Sequence, residues 1–166
     1  MLASYLRPKK FNAVYASPMK RVQQTMAPLS ALAERAAVVM PDLREVDFGD
    51  WTGLGWEQVR ERFNVSAFDW LHKLEEAAIP NAESGDTFRA RIEPCLRKIL
   101  ASHAGENVAI FCHGGVIRMV LSILLSMPLS KMAAFEIDYA SLTQVDYHPQ
   151  KTEVQLLNFT PWRDLA

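Results

Sequence analysis

The sequence predicts an α/β protein, a three-layer α/β/α sandwich around a mainly parallel sheet. Three observations lead there. Phe11 to Ala16 is a short apolar run that stops at Ser17-Pro18 and gives way to apolar residues at helical spacing. Asn107 to Cys112 is an uninterrupted apolar run that turns at His113-Gly114-Gly115 into an apolar helix. Elsewhere, strand-like and helix-like patterns alternate along the chain, the signature of helices covering a parallel sheet.

Taken in order, Leu2 to Leu6 is a short helical segment and Phe11 to Ala16 the first strand. Ser17 is placed to cap the next helix, with Pro18 at its first position. That helix carries Met19, Val22, Met26, Leu29 and Leu32, and Pro28 is expected to kink it. A second apolar run, Ala36 to Met40, leads into Pro41. Residues 41 to 55 read as a structured loop in which Gly49, Gly53 and Gly55 stand among charges and Trp51. Helical patterns follow at Trp56 to Phe63 and Ala67 to Ala78, then a polar loop, then a long helix from Asp86 to His103 bent at Pro94. Asn107 to Cys112 fits a strand buried on both faces, followed by a helix from Val116 to Ser126. Ser141 to Tyr147 and Glu153 to Asn158 alternate in polarity, as an antiparallel pair at the sheet edge would.

The chain has 166 residues, 49% apolar and 22% charged, with net charge −1, which fits one soluble domain over 1–166 with a real core. Four Trp, eight Phe and four Tyr exclude a disordered segment. Balanced charge gives no reason to expect nucleic acid as a partner. The longest apolar stretch, Val116 to Leu129, is interrupted by Arg118, two serines and Pro128, and falls short of the roughly 18 to 20 residues a membrane span needs. The first ten residues lack the ordered regions of a secretory signal, so a cytoplasmic location is expected. Cys95 and Cys112 make neither a disulfide framework nor a metal cluster, and no metal or cofactor is expected.

In open parallel sheets, ligands bind beyond the carboxyl ends of the strands, where helix N-termini present free N–H groups to anions. Two such places occur here. One puts Arg21 into the first turn after strand Phe11 to Ala16. The other puts His113 at the end of the most apolar strand, beside two glycines that let a ligand approach the backbone. Arginine offers a planar fork of donors to phosphate, and histidine can donate to it or titrate near neutral pH. Trp51 and Trp70 read as core packing.

Four blocks, in order, resemble the histidine phosphatase superfamily, also called phosphoglycerate mutase-like. They are Phe-Asn-Ala-Val-Tyr-Ala-Ser-Pro-Met-Lys-Arg-Val-Gln-Gln-Thr (11 to 25), Leu-Arg-Glu-Val-Asp-Phe-Gly-Asp-Trp-Thr-Gly (43 to 53), Glu-Ser with Arg91 (83 to 91), and Phe-Cys-His-Gly-Gly-Val-Ile-Arg (111 to 118). The resemblance implies a phosphoglycerate mutase-like fold and a phosphomonoester hydrolase of the phosphatase branch working through a phosphohistidine. Arg21 matches a phosphate-binding arginine, Glu45 the proton donor, and His113 the second active-site histidine, which also binds phosphate. Glu45 suits the acid role if its pKa is raised, and Phe48, Gly49 and Trp51 are neighbours that could desolvate it. The implied partner is a small phosphorylated substrate. Phe48-Gly49-Asp50-Trp51 and Ala77 to Asn81 are similar to cobalamin-pathway phosphatases.

One departure matters. The family's nucleophile is the histidine of an Arg-His-Gly triplet on its first, central strand, and no such triplet occurs here; the histidines are His72, His103, His113 and His148. The expectation is an N-terminally incomplete domain, missing that strand and by itself nearly inactive. The gap in the sheet would also be open to a second copy of the chain. Two rival readings stand beside this one. Cys112 and Arg118 satisfy the Cys-x5-Arg spacing of thiolate phosphatases, and a catalytically inactive module could still bind a phosphorylated ligand through Arg21 and His113.

Overall fold

The computed structural model describes residues 2–30 and 36–165. Helix α1, Leu2–Leu6, falls where the sequence put it, and β1 occupies Ala13–Ala16. Helix α2, Lys20–Ser30, starts two residues later than expected and runs through Pro28; the expected Leu32 lies outside the described residues. Strand β2 is only Val38–Val39. Helices α3 (Trp56–Phe63), α4 (Trp70–Glu75) and α5 (Gly85–Ser102) follow, then β3 (Val108–Phe111) and α6 (Gly114–Leu124). The chain continues through a 3-10 segment, Leu129–Ala134, to β4 (Leu142–His148), β5 (Lys151–Phe159) and the short α7 (Pro161–Asp164). Among the described residues no helix is long and apolar enough to cross a membrane.

The parallel sheet has the order β2-β1-β3, with Ala13 opposite Val108 and Ala16 opposite Phe111. Alternation sorts its side chains between two faces. Val14, Ala16 and Phe111 meet Val22 and Met26 of α2 on one side. Tyr15, Val108 and Ile110 join the larger core on the other, built from Phe88 and Ile92 of α5, Val116 and Met119 of α6, and Leu71 and Leu74 of α4. Helices on both faces of a parallel sheet make the predicted three layers.

Two expectations need correction. The antiparallel pair forms, but β4 and β5 make a sheet of their own and neither pairs with β3. Strand β3 packs against core on both faces, as expected, but is only half-buried along its length: β1 covers one edge, and no strand covers the other among the described residues.

Two local devices fix the start of α5 and the 41–55 loop against each other. Ser84 caps α5, its Oγ accepting the Thr87 N–H at 3.1 Å, with Asp86 in the first turn favouring the positive end of the helix. Gly49 has φ +52° and lies so close to Pro80, Asn81 and Ala82 that a Cβ would overlap their backbone, which only glycine allows. The 41–55 loop is thereby pressed against the segment leading into α5, and the Asp50 N–H donates to the Pro80 carbonyl at 3.0 Å.

Candidate active site

The register of β1 and β3 brings their carboxyl ends side by side, and the Ser17 N–H donates to the Phe111 carbonyl at 2.9 Å. His113, N-cap of α6, is thereby delivered to Ser17 and Arg21. Its Nδ1 accepts the Nε–H of Arg21 at 3.2 Å, so the ring proton sits on Nε2 and is donated to Ser17 Oγ at 2.8 Å. His113 is only 6% exposed. Burial, with the Arg21 and Arg91 charges, pushes its pKa down to about 4, so the ring is neutral at physiological pH and does not titrate there as the free residue would. Ser17 does more than cap. Its Oγ also accepts the Met19 N–H at 3.3 Å, ahead of a helix that begins only at Lys20.

Glu45 reaches the same place from the 41–55 loop. One carboxylate oxygen accepts its neighbour Val46 N–H at 3.0 Å and the other accepts the Gly115 N–H at 3.2 Å, in the first turn of α6. Burial raises its pKa; backbone hydrogen bonds and the Arg21 charge oppose that without cancelling it. A pKa raised in this direction is what a carboxyl needs to serve as a general acid. Gly115 makes room for it, since a Cβ there would overlap Glu45 Oε1.

Arg91 fixes the loop that carries Glu45. Its Nε and Nη2 grip the Glu83 carboxylate at 2.6 and 2.8 Å, a two-point pair, while its Nη1 and Nη2 donate to the carbonyls of Asp42, Arg44 and Glu45. Glu83 is tied in turn to the loop, the Glu83 N–H donating to the Asp47 carbonyl at 3.0 Å. Arg21, Glu45 and His113, all singled out in the sequence, thus converge on the N-terminus of α6. Ser17 and Arg91 had no assigned role there, and Gly115 was expected to admit a ligand rather than to seat Glu45; the eight-residue step from Glu83 to Arg91 across a capped helix start is a local signal for the pair that Arg91 makes.

Arg21 and Glu45 open onto a cleft of about 630 Å³, continued by Arg44, Asp47, Phe48, Trp51, Leu54 and Trp56. The rival residues do not form a thiolate site. Burial pushes the Cys112 thiol up to about 12, and Arg118 is spent on the carbonyls of Gly114 and Phe135 rather than on a phosphate cradle. Among the described residues no group of His, Cys, Asp and Glu is placed to hold a metal ion.

Phosphoserine phosphatase 1 of Hydrogenobacter thermophilus is 26% identical over 161 residues, covering 96% of this chain and 76% of that protein. The adenosylcobalamin/alpha-ribazole phosphatase of Escherichia coli is 25% identical over 157 residues, covering 95% of this chain and 77% of that one. A mycobacterial glucosyl-3-phosphoglycerate phosphatase structure shares the fold with a TM-score of 0.84 at 23% identity, over 96% of this chain and 83% of the other. The model of the histidine phosphatase superfamily (branch 1) matches residues 1–160, and with the fold and the converging site residues in place, the chain belongs to that superfamily.

Proposed function

We propose that this chain carries the phosphate-binding and acid parts of a phosphomonoester hydrolase, and that the nucleophilic histidine lies on an Arg-His-Gly strand its 166 residues do not contain. The observation that carries the reading is the meeting of Arg21, His113 and Glu45 at one helix N-terminus. A phosphoryl group there would be met by the guanidinium of Arg21, whose Nε is given to His113, and by the positive end of α6, where the Gly115 N–H is held by Glu45. Phosphoryl transfer asks for little beyond such positioning and charge. The histidine nitrogen would attack phosphorus as the ester P–O bond breaks, and the Glu45 proton would pass to the leaving oxygen. Glu45, now a carboxylate, would take a proton from the water that displaces the phosphohistidine. A general acid of this kind is worth roughly 10²- to 10⁴-fold in rate.

The edge of β3 that no strand pairs among the described residues supports a place for the additional strand, because a sheet edge beside the site is where it would bind. The names of the relatives, phosphoserine and alpha-ribazole phosphatases, support a phosphatase over a mutase. Two unpaired cysteines suit a reducing, cytoplasmic setting.

The test assays p-nitrophenyl phosphate hydrolysis and inorganic phosphate binding together. The 166-residue chain is expected to bind phosphate, with at least a tenfold loss in Arg21→Ala, and to show negligible turnover. A form extended by a strand bearing Arg-His-Gly is expected to hydrolyse the ester, and Glu45→Gln to slow it. Rapid turnover by the 166-residue chain overturns the absent-nucleophile reading; failure to bind phosphate overturns the site.

A further inference from the structure

The cleft beside Arg21 and Glu45 is lined by two unlike sets of side chains. One is charged, Arg21, Arg44 and Glu45 with Asp47; the other is an apolar wall of Met19, Phe48, Trp51, Leu54 and Trp56. Its volume, about 630 Å³, falls in the roughly 300–1,000 Å³ range of small-molecule pockets, so it holds more than a phosphate.

The aromatic part of that wall is fixed in place. The Phe48 ring lies 5.2 Å from Trp70 and 6.5 Å from Trp56, meeting the latter at 88°, and Trp56 lies 6.4 Å from Trp70. Edge-on and tilted contacts of this kind are favourable and restrict the rings. Trp70 is core, but Trp56 remains 44% exposed at the first position of α3. Helix α3 needs no tryptophan there for its own packing: Val59 is its buried residue, and most of the rest is polar or charged. A large ring kept half in water on a cleft wall is apolar surface that a ligand would cover. Asp47, which also lines the cleft, accepts the Gly49 N–H at 2.9 Å, and a carboxylate at that place disfavours a second anionic group on the ligand.

We propose that this wall is the leaving-group subsite, and that the site takes phosphomonoesters of an aromatic ring in preference to phosphorylated polyols, sugars and amino acids. The proposal rests on the phosphatase reading: the phosphate sits by Arg21, and the ester oxygen sets the ring against Trp56 and Phe48. Because the rings already brace one another, little ordering is needed when the ligand arrives, and the contact area appears as affinity.

Calorimetric titration of the 166-residue chain tests it with inorganic phosphate, 1-naphthyl phosphate, phenyl phosphate, glycerol 3-phosphate, glucose 6-phosphate and phosphoserine. Naphthyl phosphate is expected to bind at least tenfold tighter than glycerol 3-phosphate, with phenyl phosphate between them. In Trp56→Ala the naphthyl-to-glycerol ratio is expected to fall close to one and in Trp56→Phe to recover in part, while Phe68→Ala, exposed and away from the cleft, keeps it. Glycerol 3-phosphate, glucose 6-phosphate or phosphoserine binding as tightly as naphthyl phosphate overturns the aromatic subsite and leaves the phosphate site standing. A ratio unchanged in Trp56→Ala also overturns it. No binding of any phosphate compound overturns the reading beneath it.

Discussion

Arg21 donates its Nε–H to Nδ1 of His113 at 3.2 Å, which puts the ring proton on the far nitrogen, and burial together with the guanidinium charge holds the imidazole in its neutral form. A pH dependence results. The folded pKa, about 4, lies below the ordinary 6.5, so between these values the unfolded chain binds a proton that the folded chain refuses. The His113 contribution is complete above pH 6.5 and is lost as pH falls toward 4, at about 1.4 kcal/mol per pH unit at most. Urea unfolding at pH 7 and pH 4.5 is expected to show a smaller acid-induced loss in His113→Gln than in wild type. The His113 ring resonances are expected to stay flat from pH 8 to 5; a midpoint near 6.5 would show that burial and the Arg21 charge do not hold the ring neutral.

Gly115→Ala tests the seat of Glu45. The new methyl overlaps Glu45 Oε1, and the flexible carboxylate, not the helix, gives way. Once it reaches water, its raised pKa is expected to drop toward the ordinary glutamate value in a carboxyl-detected NMR titration. The raised value has its own sign: stability falls as pH rises from the ordinary glutamate pKa to the folded one, opposite to His113, and that fall is expected to shrink in the variant.

Arg91→Met leaves Glu83 buried with only Arg44, at 4.0 Å, for a cation; the Arg91 and Glu83 side chains are only 10% and 5% exposed. Removing one member of such a pair costs about 3–5 kcal/mol, and urea midpoints are expected to show a loss of that order. Arg91→Lys keeps the charge but not the fork, and is expected to fall between.

The thiols are expected to be inert. Burial pushes Cys95 up to about 11 and Cys112 to about 12, so neither forms thiolate near neutrality. Both are expected to react with a disulfide reagent only in urea. Fast reaction of Cys112 in the native protein would revive the thiolate reading.

What was legible in the sequence was what local pattern encodes. The bounds of α1 and α3 were readable from apolar spacing, and the β1 and β3 runs from unbroken hydrophobicity. Arg21 and His113 were readable because each stands just beyond a strand end, whereas Glu45 was readable only through the family resemblance of the 43 to 53 block. Ser17 was misread as a helix cap alone, since its partner His113 is 96 residues away. The separate β4–β5 sheet was invisible because alternation gives a strand its faces but not its neighbour. Arg91 reaching the Glu45 carbonyl, 46 residues off, leaves no periodic trace at all.

That reach also bears on how the protein can change. Arg91 holds its loop by three carbonyl oxygens, and every amino acid supplies one. Side chains at 42 and 44 are therefore free to drift while the path of the loop, and the place of the acid, stay the same. A descendant of this protein can acquire a different cleft by ordinary point substitution without first giving up its chemistry.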